Sequence, residues 1–395
     1  GQPVCVLRSD GDRAGTGGGR AASQAGITPS GGPIMQLDFL RPLYAGTGDY
    51  ASLYLDASRT TEDAAELVAL RWRAARERLA ERGADQATLG ALEKLVTSQG
   101  HSVPGLAAFA QGGEVAFTAA LPQPPQRELS RYARLPHVMP LLSQLPPLVP
   151  QLHVRADRSG GEVMAVRPRG GTTEERVTGP GWPVHKASLG GWSEARYQRS
   201  AEEAWAENAK QLAETVTAAA SQTGAELIVV AGDTRARSLL LEHLGTPLRE
   251  SAVIVDREVD ASSELLVEAA EQAARARAEE ETRGRLDEFR SKAARGQAAE
   301  GLVPTVAALR AGQASEVLIA DDPSSTAGAW VGPQPLDVAV SRHELTERGV
   351  GQTVEDRADA AVVRAAAATG AGLSFVPDGE EPPRGGIGAL LRYSV

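Results

Sequence analysis

Gly190-Gly191-Trp192-Ser193-Glu194-Ala195-Arg196-Tyr197-Gln198-Arg199 decides how this chain is read. Two adjacent glycines allow backbone conformations and close approaches that side chains forbid. Ser193 suits the N-cap of the helix that follows, because its hydroxyl can accept from free N–H groups of the first turn. In that helix Tyr197, Ala201, Trp205, Leu212, Val216 and Ala219 recur at helical spacing, with Asn208 filling one step, until Gly224 ends it. Arg196 and Arg199 lie one turn apart on neighbouring parts of one face and can hold phosphates. The helix N-terminus adds partial positive charge beside the loop. His185 and Lys186, on the loop's other limb, add to it.

Working outward, Thr178-Gly-Pro-Gly-Trp-Pro183 leads into the loop, and His153–Ala156 and Glu162–Val166 flank Ser159-Gly160-Gly161 as a hairpin. Beyond the helix, Leu227–Ala231 reads as a buried strand, Arg237–Leu244 as a helix and Ala252–Asp256 as a strand. This alternation indicates a small α/β layer over residues 151–260.

An earlier block, 35–150, has a strand at Tyr50–Asp56, a long amphipathic helix over Thr60–Arg82 and a strand at Val115–Leu121 after the Gln111-Gly112-Gly113 turn. The Pro-rich stretch Leu145–Pro150 ends it. A later block, 261–395, opens with the charged helix Ser262–Ala294. It continues with a helix at Val303–Ala311, a strand at Glu316–Ala320, an Ala-rich helix at Asp356–Thr369 and strands at Leu373–Val376 and Ala389–Tyr393. The expected fold class is α/β (α+β) in three domains. Residues 1–34, with Gly, Ser and Arg but no apolar periodicity, are expected to be a disordered arm without the apolar core of a secretory signal; Met35 opens the ordered part.

Lys and Arg total 41 against 51 Asp and Glu, a net charge of −10, which excludes a nonspecific nucleic-acid binder. From His153 to Arg199, however, eight basic residues face five acidic ones, a local excess of three where the motif lies. The lone Cys5 excludes an intramolecular disulfide framework and suits a reducing cytoplasm. No stretch approaches the ~18 apolar residues of a membrane span. The protein is expected to be a cytoplasmic monomer that does not bind membranes.

Other candidate chemistry is sparse. The histidines, His101, His137, His153, His185, His243 and His343, show no metal-ligand spacing. Gly15-Thr-Gly-Gly-Gly19 lacks the preceding strand and the lysine-serine ending of a phosphate loop. Asp321-Asp322 reads as a turn before Pro323, Asp233 as a turn or helix cap, and Trp205 as core. No metal, cofactor or catalytic residue is expected.

The motif resembles Gly-Gly-Gln-Ser-x-x-Arg-Phe-x-Arg of archaeal and eukaryotic peptide-chain release factors, with Trp192 in place of the glutamine. Leu227-Ile-Val-Val-Ala-Gly-Asp233 resembles the strand ending in Ala-Gly of the release factor and Pelota superfamily. Ala308-Leu-Arg-Ala-Gly-Gln-Ala-Ser-Glu-Val-Leu-Ile-Ala-Asp-Asp322 resembles its C-terminal signature. The resemblance covers roughly Leu152 to Val395 and is nearest to bacterial members, including the Balon-type ribosome hibernation factors. It implies a release-factor-like middle domain and a C-terminal α-β-α sandwich. It also implies a loop that enters the peptidyl-transferase centre of the large ribosomal subunit, and a docking surface for a translational GTPase, in bacteria elongation factor Tu. Lys186, Gly190, Gly191, Trp192, Ser193, Arg196 and Arg199 would then be the ribosomal RNA contacts.

Trp192 alters the chemistry. An amide offers a donor and an acceptor, whereas indole offers one N–H donor and cannot orient water in the same way. Indole can stack on an exposed base, worth ~1–3 kcal/mol per base. The plain alternative is that Trp192 packs on its own domain near Trp182. The expected function is therefore a non-hydrolytic factor that occupies the ribosomal A site of idle or stalled ribosomes. The rival reading is a peptidyl-tRNA ester hydrolase, a release or rescue factor that places water with another residue. A third is a protein-binding scaffold unrelated to ribosomes.

Overall fold

The computed structural model describes residues 34–46, 48–58, 63–98, 103–145, 149–167, 171–178, 192–256 and 264–393, with the backbone alone described at 167, 171–178 and 192–201. The chain is mixed α/β and divides into two compact units: Ile34–Leu145 together with Thr282–Val395, and Pro146–Glu281.

The first unit begins with a 3-10 helix, Asp38–Ala45. It continues with β1 (Tyr50–Asp56), α1 (Ala64–Glu81), α2 (Gln86–Ser98), β2 (Gly105–Gln111), β3 (Glu114–Leu121), β4 (Leu129–Ala133) and the short α3 (Met139–Leu142). The strands form an antiparallel sheet ordered β3-β2-β1-β4, with Leu53 opposite Ala108 and Ser130. Both faces of β1 are buried, so its sequence shows no polar alternation. Leu53 and Leu55 meet Trp72, Leu79, Leu89 and Leu92 of α1 and α2. Tyr54 points the other way and meets Phe109 edge to face, ring centroids 5.9 Å apart.

The second unit contains β5 (Gln151–Asp157), β6 (Gly160–Arg167), β7 (Gly171–Thr178), α4 (Trp192–Thr223), β8 (Leu227–Gly232), α5 (Thr234–His243), α6 (Thr246–Glu250) and β9 (Ala252–Ile254). Its sheet is ordered β7-β6-β5-β8-β9; β5, β8 and β9 run parallel, and β6 and β7 antiparallel. Leu212, Val216 and Leu240 of α4 and α5 cover Leu152, Val154, Ile228 and Val230 on one face. The opposite face, with Leu227, Val229 and Ala231, receives Leu266, Ala270 and Ala274 from α7 (Glu264–Ala293). The middle unit is thus itself an α-β-α sandwich and runs to Glu281, past the expected boundary at residue 260. Alternating charges on α7 conceal the small apolar stripe that seats its first half.

The remainder returns to the first unit as β10 (Ala298–Glu300), α8 (Leu302–Arg310), β11 (Ala314–Ile319), β12 (Gly328–Val331), β13 (Val338–Ala339), α9 (Arg342–Glu347), β14 (Val354–Arg357), α10 (Ala358–Thr369), β15 (Gly372–Phe375) and β16 (Ile387–Leu391). One sheet is ordered β10-β16-β11-β15 and a smaller one β13-β12-β14. Leu286 and Phe289, from the second half of α7, pack on Leu318 and Leu390. In α10 every residue from Ala360 to Ala367 is buried. A helix apolar nearly all round belongs inside a core, and alanine lets its neighbours approach closely.

Blocks 35–150 and 261–395, expected as separate domains, share one core. Tyr54, Phe109 and Leu142 belong to the same apolar cluster as Leu309, Val362 and Leu373. Polar ties cross the same boundary. Met35 and Leu373 exchange two backbone hydrogen bonds of 2.9 Å, and Arg41 Nε donates to Ala367 O at 3.1 Å. Asp356 pairs with Arg131 and accepts from Leu135 N at 2.8 Å.

His137 is buried in this unit. Its N–H donates to Ser52 Oγ at 3.0 Å and its carbonyl accepts from the Tyr54 hydroxyl at 2.7 Å. Burial pushes its imidazole down from 6.5 to about 4. A base whose folded value lies below its unfolded one contributes stability in full above the unfolded value and loses it as pH falls towards the folded one. The first unit is therefore expected to lose on the order of 3 kcal/mol between about pH 6.5 and 4 through this group. Urea unfolding across that range, compared with His137→Gln, measures the difference in slope.

Candidate functional site

The loop-to-helix junction belongs to the second unit. Lys186, His185, Gly190 and Gly191 lie outside the described residues, as does Trp182. The structure starts α4 at Trp192, one residue before Ser193. Ser193 therefore lies within the first turn instead of capping it, and Trp192 is the first helical residue. Positions 192, 196 and 199 follow the i, i+4, i+7 pattern of one helix face, whereas position 193 is rotated by about 100°. The helix thus groups the tryptophan position with both arginine positions.

The sheet holds α4 firmly further along. Gly161 on β6 lies beneath Leu212, and a Cβ there would meet Leu212 Cδ2 at 2.7 Å and Arg155 O at 2.4 Å. The second glycine of Ser159-Gly160-Gly161 thus seats the helix; the first, with φ +141, serves the turn. Trp205, expected in the core, is only half-buried, with the Arg158 guanidinium carbon 4.7 Å from its ring centroid. Long amphipathic side chains can cover an aromatic face while staying wet, which helical spacing cannot reveal. Asn208 is buried and its Nδ2 donates to Arg158 O at 3.0 Å.

The Ala-Gly strand end has a steric basis. Gly232 has φ +109, and a Cβ there would lie 2.0 Å from Ala156 O on the parallel neighbour β5. Asp233 caps α5, accepting from Arg235 N and Ala236 N at 3.0 Å each, as read from the sequence. Partial burial works against its charge, but the Ala236 N–H and the Arg158 guanidinium prevail and hold the carboxyl below its usual range. Arg158 carries no sequence signal of its own; only its place in the turn of a hairpin beside a capping aspartate identifies it.

Elsewhere, Asp322 accepts from Ser324 N and Oγ at 2.9 and 2.6 Å, which makes the Asp321-Asp322 segment a turn. Among the described residues no group of three or more His, Cys, Asp or Glu side chains is placed to hold a metal ion. No helix among them is long and apolar enough to cross a membrane.

Residues 150–295, which include the motif, match the model of bacterial archaeo-eukaryotic release factor family 2. The uncharacterized proteins MT2704 and Rv2629 of Mycobacterium tuberculosis are each 31% identical over 374 residues, covering 91% of this chain and 98% of the relative. Among solved structures, Archaeoglobus fulgidus Pelota matches at 14% identity over 92% of this chain and 94% of that chain, with a TM-score of 0.36. The archaeal termination factor aRF1 matches at 18% identity over 87% and 92%, with a TM-score of 0.23. The chain belongs to the family of these mycobacterial proteins, and its residues 150–295 match the model of bacterial archaeo-eukaryotic release factor family 2.

Proposed function

We propose that this chain is a ribosome-binding translation factor that enters the A site and places Gly190, Gly191 and Trp192 in the peptidyl-transferase centre without cutting the peptidyl-tRNA ester. One observation carries the reading: a tryptophan replaces the water-positioning glutamine inside the stretch that matches the release factor family. A loop of this family with an indole keeps the means to stack on RNA and loses the amide that would place a water. Arg196 and Arg199, grouped with position 192 on α4, supply phosphate contacts beside it. Ser193 and Lys186 support the same contact, and elongation factor Tu is the proposed delivery partner. The role is occupation of idle or stalled ribosomes, as in hibernation.

Cosedimentation with bacterial ribosomes at moderate salt, with and without elongation factor Tu, tests the binding. Trp192→Ala is expected to weaken it by about 5- to 150-fold, equivalent to ~1–3 kcal/mol of lost stacking. A release assay on ribosomes loaded with peptidyl-tRNA is expected to show no ester cleavage. Cleavage that disappears with Trp192→Ala would instead establish the hydrolase, and failure to cosediment under either condition would favour the scaffold.

A further inference from the structure

Arg158 occupies the two-residue turn between β5 and β6, and three elements meet at its side chain and carbonyl. Its guanidinium lies over Trp205 of α4 at 4.7 Å. Its Nε and Nη2 both reach Asp233 Oδ2, at 3.2 and 3.1 Å, while Asp233 Oδ1 caps α5. Its carbonyl accepts from Asn208 Nδ2, one turn further along α4. Asp157 Oδ1 holds the turn in shape by accepting from Ser159 N and Oγ at 2.8 and 2.6 Å. Yet the Arg158 side chain is 58% exposed, so it contributes little to the core. An exposed arginine with this many partners is better suited to direction than to stability.

Its place along the helix gives that direction a purpose. Thirteen residues separate Trp205 from Trp192, about 20 Å of helix at 1.5 Å per residue. Glu202 and Glu203, the first side chains described on α4, are exposed, and the buried apolar positions begin at Ala209. Among the described side chains, Trp205 makes the first specific tie between α4 and the rest of the unit. A small rotation of the helix about its seat at Leu212 would be magnified at residue 192.

We infer that Arg158 is a positioning residue, clamping Trp205 against Asp233 and so aiming the N-terminal third of α4 from Trp192 onward. Its functional consequence rests on the ribosome-binding reading; its structural part does not.

Hydrogen exchange on the full-length chain tests the clamp directly. In Arg158→Ala, amides of residues 197–205 are expected to exchange at least tenfold faster, with residues 209–220 and the first unit unchanged. Arg158→Lys, which keeps a cation over the indole but loses the two-nitrogen grip on Asp233, is expected to restore part of the protection. Unchanged exchange at 197–205 in Arg158→Ala would overturn the inference. So would an even rise across the whole second unit, because Arg158 would then be a general stabiliser. Chemical probing of 23S ribosomal RNA in the same variants reads the consequence: protection at the peptidyl-transferase centre is expected to fall more than cosedimentation does. If the unaltered protein fails to cosediment, the ribosome reading falls, while the exchange result still decides the clamp.

Discussion

Asp356→Ala is expected to destabilise the first unit by about 3–5 kcal/mol, because it strips a partly buried arginine and a buried backbone N–H of their shared acceptor. The Asp356 side chain is 1% exposed and pairs with Arg131, itself 19% exposed. Its second oxygen accepts from Leu135 N at 2.8 Å. Alanine would leave the Arg131 charge in a site shaped for a pair, with the Leu135 N–H unpaired beside it. The partners come from β4 and β14, on opposite sides of the boundary between the two sequence blocks, so the loss falls on their union. Guanidinium unfolding should show a lower midpoint, and limited proteolysis should release 34–145 from 282–393 earlier than in the parent. Replacing both partners, Arg131→Met with Asp356→Leu, is expected to recover only the part due to the orphaned charge, since the Leu135 N–H still lacks its acceptor. An unfolding free energy for Asp356→Ala within ~0.5 kcal/mol of the parent would show that the pair does not hold the blocks together.

Gly232→Ala should be nearly as damaging to the second unit, costing about 3 kcal/mol or more through strain and overlap together. The φ of +109 is one that residues with a Cβ rarely adopt, and the added carbon would lie 2.0 Å from Ala156 O. That oxygen accepts from Asp233 N at 2.9 Å, so relief by moving the strands apart would also disturb the start of α5. Hydrogen exchange should rise in 151–157 and 227–232 while the first unit stays protected. Gly224→Ala is the control: it too has positive φ, +65, but its Cβ would meet nothing within 4 Å. Its expected cost is smaller, about 1 kcal/mol. Equal effects from both substitutions would mean that backbone strain alone, and not contact with β5, explains the glycine.

The local elements were legible because their causes are local. The β5–β6 hairpin follows from Ser159-Gly160-Gly161, the long α4 from its helical spacing, and the α5 cap from Asp233. Positions 51–56, 227–232 and 314–319 form strands where their apolar runs indicate. Shorter pieces were missed: β4, β10 and the sheet formed by β12, β13 and β14 have two to five residues per strand, too few to establish a period. The helix α2 was also overlooked, although Thr88, Leu89, Leu92 and Val96 place its buried face at helical spacing. At the Gly190–Arg199 motif, the sequence points to a helix capped by Ser193, whereas α4 already begins at Trp192.

By itself the sequence determined the mixed α/β class, the order of the main elements and the Gly190–Arg199 motif with its tryptophan, since each depends on residues close together in the chain. Only the tertiary structure decided that residues 34–145 and 282–393 share one core, and that the two halves of α7 pack in different apolar clusters. It alone revealed Arg158 as the tie between the β5–β6 turn, α4 and α5. Those facts depend on groups far apart in sequence: Arg131 and Asp356 are separated by 225 positions, and Arg158 and Asp233 by 75. No local pattern of charge or hydropathy specifies such pairs; they are selected when buried charges must find partners and apolar faces must find cover.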